Sequence, residues 1–136
     1  MNRRILLVED SRADAVLTAR ALESGGGARF ELTIAGSLGE GIDHLAQGFD
    51  AILLDLTLPD SAGTETVTRM RAAAHNMPIV VLTSAEGDEV ADRCIRAGAD
   101  AYRQKGRLGP TELSDVLSRA IECGHVASYQ PGFGAR

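Results

Sequence analysis

Glu9-Asp10, Asp55, Thr83-Ser84 and Lys105 stand at the ends of four short segments that read as β-strands. With those strands side by side, three carboxylates, a hydroxyl pair and an ammonium meet at one edge. Three acids in one place repel, so they either raise their pKa values or hold a cation. Oxygen ligands favour a hard ion, and Mg2+ is typically held by one or two carboxylates together with water and a phosphate. Asp55 follows Leu53-Leu54 and is placed as a nucleophile, since carboxylates form acyl phosphates. Phosphoryl transfer needs positioning and charge neutralisation more than covalent help. Lys105 supplies a point charge and Thr83 a hydroxyl for the phosphoryl oxygens. Lys105 is also the only lysine among fourteen basic residues. Singly, a strand-terminal aspartate often does no more than cap a helix or form a turn. It is the set, with the lone lysine, that points to chemistry.

The elements that must position this set alternate along the chain. Ile5-Leu6-Leu7-Val8, Ala51-Ile52-Leu53-Leu54 and Ile79-Val80-Val81-Leu82 are continuous apolar runs, suited to strands buried on both faces of a parallel sheet. Phe30 to Ile34 alternates and reads as an edge strand, and Ala101 to Gln104 is a weaker fifth candidate. Helices are predicted at 13–24, with Ser11 as N-cap and Val16, Leu17, Ala21 and Leu22 as the apolar stripe, and at 37–47, opened by the Ser37/Glu40 capping box. Three more follow at 64–74, at 88–97 ending at Gly98, and at 110–123 beginning with Pro110. Five βα units of this kind imply an α/β fold, a parallel sheet with helices on both faces. Ligands of such sheets bind outside the carboxyl ends of the strands, where the acids and the lysine fall.

The chain has 136 residues, 44% hydrophobic and 24% charged, which fits one compact domain and excludes disordered or collagen-like classes. No apolar run approaches the roughly 18 residues a membrane span needs, and the run after Arg3-Arg4 is too short for a signal peptide. Two cysteines make neither a disulfide framework nor a metal quartet, so a cytoplasmic protein is expected. A net charge of -5 argues against a direct grip on nucleic acid. The expected organisation is one domain over 1–123 and a short extension over 124–136 without a fold of its own.

This ordered set resembles the receiver domain of two-component response regulators, over about residues 3 to 123. Glu9 and Asp10 match the family's acidic pair, Asp55 its phosphoacceptor, Pro59 and Gly63 the following loop, Thr83 and Tyr102 the switch hydroxyl and aromatic, and Lys105 the phosphate-binding lysine. The resemblance implies a flavodoxin-like (βα)5 fold of strand order 2-1-3-4-5. It implies that Asp55 accepts a phosphoryl group from a histidine kinase or histidine phosphotransfer protein. Mg2+ would be held by Asp10 and Asp55, with Glu9 acting through water and the Thr57 backbone carbonyl as a further ligand. Thr83 and Tyr102 would then move together and reshape the face of the fourth helix, fifth strand and fifth helix toward a downstream protein. The implied protein is no turnover enzyme, loses its phosphoryl group slowly, and is a monomer or a dimer promoted by phosphorylation. The alternatives are a receiver portion of a larger hybrid kinase or signalling enzyme, and a Mg2+-dependent phosphohydrolase. Against the latter, Thr57 stands where such enzymes carry a second aspartate.

Two departures from the family pattern stand out. Gly106 follows Lys105 where the family usually has proline, so a trans bond and a differently shaped loop are expected, and Ser84 replaces the usual alanine or glycine. The Lys-Gly pair with Leu58-Pro59-Asp60-Ser61 looks more like receivers of sensor kinases than of DNA-binding regulators. Other residues read plainly. Gly25-Gly26-Gly27 is a turn at the wrong end of the sheet for a phosphate loop, and Cys94 is packing. Cys123, His44, His75 and His125 are surface residues, and Asp60 and Ser61 serve a turn and the start of the third helix.

Overall fold

The computed structural model describes residues 2–25, 29–84 and 87–124. Gly26, Gly27 and the extension from His125 onward lie outside the described residues. Five strands, β1 (Asn2–Val8), β2 (Arg29–Ala35), β3 (Ala51–Leu54), β4 (Ile79–Thr83) and β5 (Ala101–Gln104), pair in parallel in the order β2-β1-β3-β4-β5. This is the expected doubly wound order, with β2 at one edge as its alternating pattern predicted. The helices are α1 (Arg12–Glu23), α2 (Leu38–His44, continued by a 3-10 turn at Leu45–Gln47), α3 (Glu65–Ala74), α4 (Asp88–Ala97) and α5 (Glu112–Cys123).

The pleat sorts the apolar runs onto two faces. Leu6, Val8, Ile52, Leu54 and Val81 pack with Leu38, Val67, Met70 and Cys94, on the side of α2, α3 and α4. Ile5, Leu7, Leu53, Val80 and Leu82 pack with Ala15, Leu22, Leu113 and Leu117, on the side of α1 and α5. Successive side chains point to opposite faces, so only strands apolar at every position can serve both layers. Each fully buried leucine or isoleucine contributes about 1.5–3 kcal/mol.

The structure corrects several boundaries and one helix face. Strand β1 starts at Asn2 rather than Ile5, and α5 starts at Glu112, after a turn in which Glu112 Oε1 accepts from the Gly109 N–H at 3.0 Å. Ser11 caps α1 as expected, its Oγ accepting from Asp14 N–H at 3.2 Å. The buried face of α1, however, is Ala15, Thr18 and Leu22, while Val16 and Leu17 are 50% and 61% exposed. Thr18 can be buried because its hydroxyl donates to the Asp14 carbonyl at 2.9 Å. Ser37 Oγ accepts from Glu40 N–H as a capping box requires, but the Glu40 carboxylate takes the Gly36 N–H.

Asp60 does not serve α3. Its two oxygens accept from Leu38 N–H and Gly39 N–H, each at 2.9 Å, and so cap α2 from 21 and 22 residues away. Those bonds hold its carboxyl below the usual range. It sits at the tip of a two-residue ribbon, Thr57–Leu58 against Ser61–Ala62, which the sequence pattern did not suggest. Ser61 does meet the start of α3, its hydroxyl 2.8 Å from that of Thr66. Cys94 is fully buried and Cys123 exposed; His75 is exposed and His44 half-buried.

Candidate functional site

The backbone at the carboxyl edge continues the sheet one residue past its strands. Glu9 N–H donates to Ala35 O at 2.9 Å, Asp55 N–H to Val8 O at 3.1 Å, and Lys105 N–H to Thr83 O at 2.8 Å. Three side chains that the sequence separates by up to 96 positions are thereby seated on hydrogen-bonded extensions of the sheet.

Lys105 is their centre. Its ammonium lies 2.6 Å from Glu9 Oε1, 3.1 Å from Asp55 Oδ2 and 2.8 Å from Asp14 Oδ2, so its three N–H donors each have a carboxylate. Glu9 and Asp55 are buried, whereas Asp10 is exposed. Burial pushes the Glu9 carboxyl above its ordinary range, Asp55 adds to that push, and Lys105 works against it. Burial also works to strip the proton from Lys105, but its carboxylate partners outweigh it and hold the ammonium well above the ordinary lysine range. The second oxygen of Glu9 accepts from Ser11 N–H at 3.2 Å, and Asp55 Oδ1 accepts a long bond from Thr57 N–H at 3.3 Å.

Glu9, Asp10 and Asp55 each offer an oxygen to a group whose members lie within 4.8 Å of one another. Two of the three are buried beside a single ammonium, and all the donors are hard oxygens. That donor set fits a divalent cation of the Mg2+ kind, which favours oxygen ligands and a phosphate.

Around this centre, Thr83 is fully buried at the end of β4. Tyr102 is half-buried and packs on the α2–α4 side of the sheet. It stands in register with Val81, two residues before Thr83, so Thr83 and Tyr102 occupy one face of neighbouring strands. Thr57 is exposed at the start of the ribbon, and Gly63 closes it with φ +71° and an N–H bond to Leu56 O at 2.9 Å. Gly106 takes φ +82°, a conformation glycine adopts without strain, and no described peptide bond is cis, as expected for Lys-Gly. Gly25 lies at the end of α1, where a turn was expected.

The site therefore gathers Glu9, Asp10, Asp55 and Lys105 as the sequence suggested. It adds Asp14, which the sequence reading missed. The signal was there in outline. Asp14 lies one helical turn after Asp10, on the first turn of a capped helix that starts beside the acidic pair.

An open parallel sheet of this order, with carboxylates and one lysine at its carboxyl edge, defines a doubly wound α/β domain of the flavodoxin-like class. Residues 5–118 match the model of the response regulator receiver domain, and the chain belongs to that family, the receivers of two-component systems. The chain is 36% identical over 116 residues to the swarming motility regulation protein RssB of Serratia marcescens, covering 85% of this chain and 50% of that protein. It spans about half the length of the curated relatives it matches. It is 30% identical to a CheY-like receiver domain protein of Methanospirillum hungatei JF-1, with a TM-score of 0.74 over 90% of this chain and 95% of the other. It is 27% identical to the receiver domain of the sensor histidine kinase PA1611 of Pseudomonas aeruginosa PAO1, with a TM-score of 0.74 over 90% and 99% of the two chains. The PA1611 structure holds a magnesium ion coordinated in its active site cleft. Among the described residues no helix is long and apolar enough to cross a membrane.

Proposed function

We propose that this receiver is a phosphoacceptor switch in which Asp55 takes a phosphoryl group from the histidine of a histidine kinase or a histidine phosphotransfer protein. The observation that carries this reading is Lys105 Nζ at 3.1 Å from Asp55 Oδ2, beside an oxygen cluster suited to a divalent cation. One Asp55 oxygen attacks phosphorus, and the P–N bond of the phosphohistidine breaks. The electron pair returns to the imidazole nitrogen of the donor. Glu9, Asp10, Asp55 and the Thr57 carbonyl are the groups that would hold Mg2+, which when bound would supply positive charge that offsets the negative charge of the transferring phosphoryl group. Lys105 donates to a phosphoryl oxygen, and Thr83 offers its hydroxyl to another.

A dianionic group at Asp55 then biases Thr83 and Tyr102, which share one face of β4 and β5, and through them the surface of α4, β5 and α5. That surface addresses a downstream protein or a second copy of the chain, in the cytoplasm and without direct contact to nucleic acid. The group leaves by slow hydrolysis, and the protein is no turnover enzyme. Position 57, where a phosphohydrolase would carry a general acid, is threonine. A place within a larger hybrid kinase is a second reading, favoured by the likeness to the PA1611 receiver, and leaves the chemistry at Asp55 unchanged.

The test is intact-mass spectrometry after incubation with acetyl phosphate, with and without Mg2+. One phosphoryl adduct that requires Mg2+ and is absent from Asp55→Asn is expected. An equal adduct on Asp55→Asn would overturn the reading.

A further inference from the structure

Lys105 donates to three carboxylates, and they are not equivalent. Glu9 and Asp55 belong to the oxygen cluster that fits a cation, and Asp14 does not. A divalent ion drawn to that cluster competes with the ammonium for Glu9 and Asp55, because both are cations seeking the same oxygens. A phosphoryl group on Asp55 removes one carboxylate from the set altogether. Through both changes Asp14 is the partner that Lys105 keeps.

Asp14 is built for that task. It lies on the first turn of α1, where negative charge is favoured by the helix dipole, and its backbone N–H is fixed by the Ser11 hydroxyl at 3.2 Å. Its carbonyl accepts from the buried Thr18 hydroxyl at 2.9 Å, so the turn is held from both sides. Its carboxylate, 2.8 Å from the Lys105 ammonium, is 39% exposed where those of Glu9 and Asp55 are 2% and 7%, so it holds the ammonium from the solvent side without belonging to the cation cluster. Gly106, at φ +82°, has open space where a side chain would stand, so no side chain after Lys105 packs against the site.

We infer that Asp14 is a positioning residue that keeps the Lys105 ammonium poised beside Asp55 when the cation occupies the Glu9, Asp10 and Asp55 cluster. The inference deepens the phosphoacceptor reading, and its first test does not require phosphorylation. Lys105 is the only lysine, so protein grown with lysine labelled at the 15N ζ position gives one side-chain ammonium signal. A hydrogen-bonded ammonium exchanges its protons slowly and is observed; a freed one is broadened by exchange with water.

With saturating Mg2+ the parent keeps the Lys105 signal and Asp14→Asn loses it, while without Mg2+ both keep it through Glu9 and Asp55. Asp14→Glu, which restores a carboxylate on the same turn, recovers the signal. Backbone amide spectra of the variants report that the fold is intact. A Mg2+-loaded Asp14→Asn that retains the signal, or a Mg2+-loaded parent that loses it, overturns the inference. The second readout is phosphoryl uptake from acetyl phosphate at saturating Mg2+. It falls several-fold in Asp14→Asn with the half-saturating Mg2+ concentration unchanged, whereas a shift in Mg2+ demand alone would place Asp14 with the cation ligands and contradict the inference. A parent that takes up no phosphoryl group removes the switch reading, and the ammonium signal still decides the role of Asp14.

Discussion

The Lys105 ammonium sits 2.6 Å from Glu9 Oε1, joining the end of the last strand to the end of the first across 96 positions of sequence. Glu9 is buried with a side chain only 2% exposed, and Lys105 supplies the cation that makes this burial tolerable. Removing one partner of a buried ion pair leaves an uncompensated charge, which costs more than the pair contributes. Lys105→Met is therefore expected to lose about 3 kcal/mol of stability at neutral pH without Mg2+. The folded state already raises the Glu9 pKa and so binds its proton more tightly than the unfolded chain. Losing the lysine raises it further. The deficit is accordingly present above the raised value and shrinks as pH falls through it. Urea unfolding of parent and variant at several pH values measures this, and equal stabilities at neutral pH would contradict it.

Mg2+ is expected to stabilise the fold, because it binds an assembled cluster that the unfolded chain lacks. At a concentration one hundred times its dissociation constant the gain is about 2.7 kcal/mol. Melting curves with Mg2+ and with a chelator read the shift. Asp10→Asn, which removes one negative charge from the oxygen cluster and no bond to Lys105, is expected to reduce the shift. An undiminished shift in that variant would place the ion elsewhere.

How much of this was legible in the sequence depends on how local the cause is. Glu9, Asp55 and Lys105 could be read because each ends a strand, and apolar runs such as Ile52-Leu53-Leu54 admit few other assignments. Asp14 could not. Its role depends on the rotation of α1 about its axis, and the apolar spacing of Val16 and Leu17 suggested the wrong rotation. The Thr18 hydroxyl, satisfied within the helix, turned a polar residue inward. Asp60 escaped for the same reason at longer range, since a cap supplied to α2 from the far side of β3 leaves no trace in local spacing.

The Asp60 cap carries its own prediction. Bonds from Gly39 and Leu38 lower its carboxyl pKa, so the unfolded state binds the proton more readily. Its contribution is fully present above the ordinary aspartate value of about 3.9 and is lost as pH falls through the lower folded value. Asp60→Ala is less stable than the parent at neutral pH, and the difference narrows in acid. A difference that stays constant from neutral pH down to acid would contradict the cap.

The two thiols separate cleanly. Cys94 is fully buried among Met70, Val81 and Ala99, and burial raises its pKa, whereas Cys123 is exposed at the end of α5. A native protein is expected to give one rapidly reacting thiol with a disulfide reagent and two only on unfolding. Rapid reaction of both in the native state would mean that the packing between α4 and the sheet is not as described.

The most direct test of the switch is chemical trapping of residue 55. Borohydride reduces an aspartyl phosphate to homoserine and leaves free aspartate untouched. The protein is incubated with acetyl phosphate and Mg2+, reduced, digested and mapped by mass spectrometry. Homoserine at position 55 and at no other aspartate, dependent on Mg2+ and greatly diminished in Lys105→Met, is the predicted result. Homoserine at Asp10 or elsewhere with none at position 55 would contradict the account at its centre.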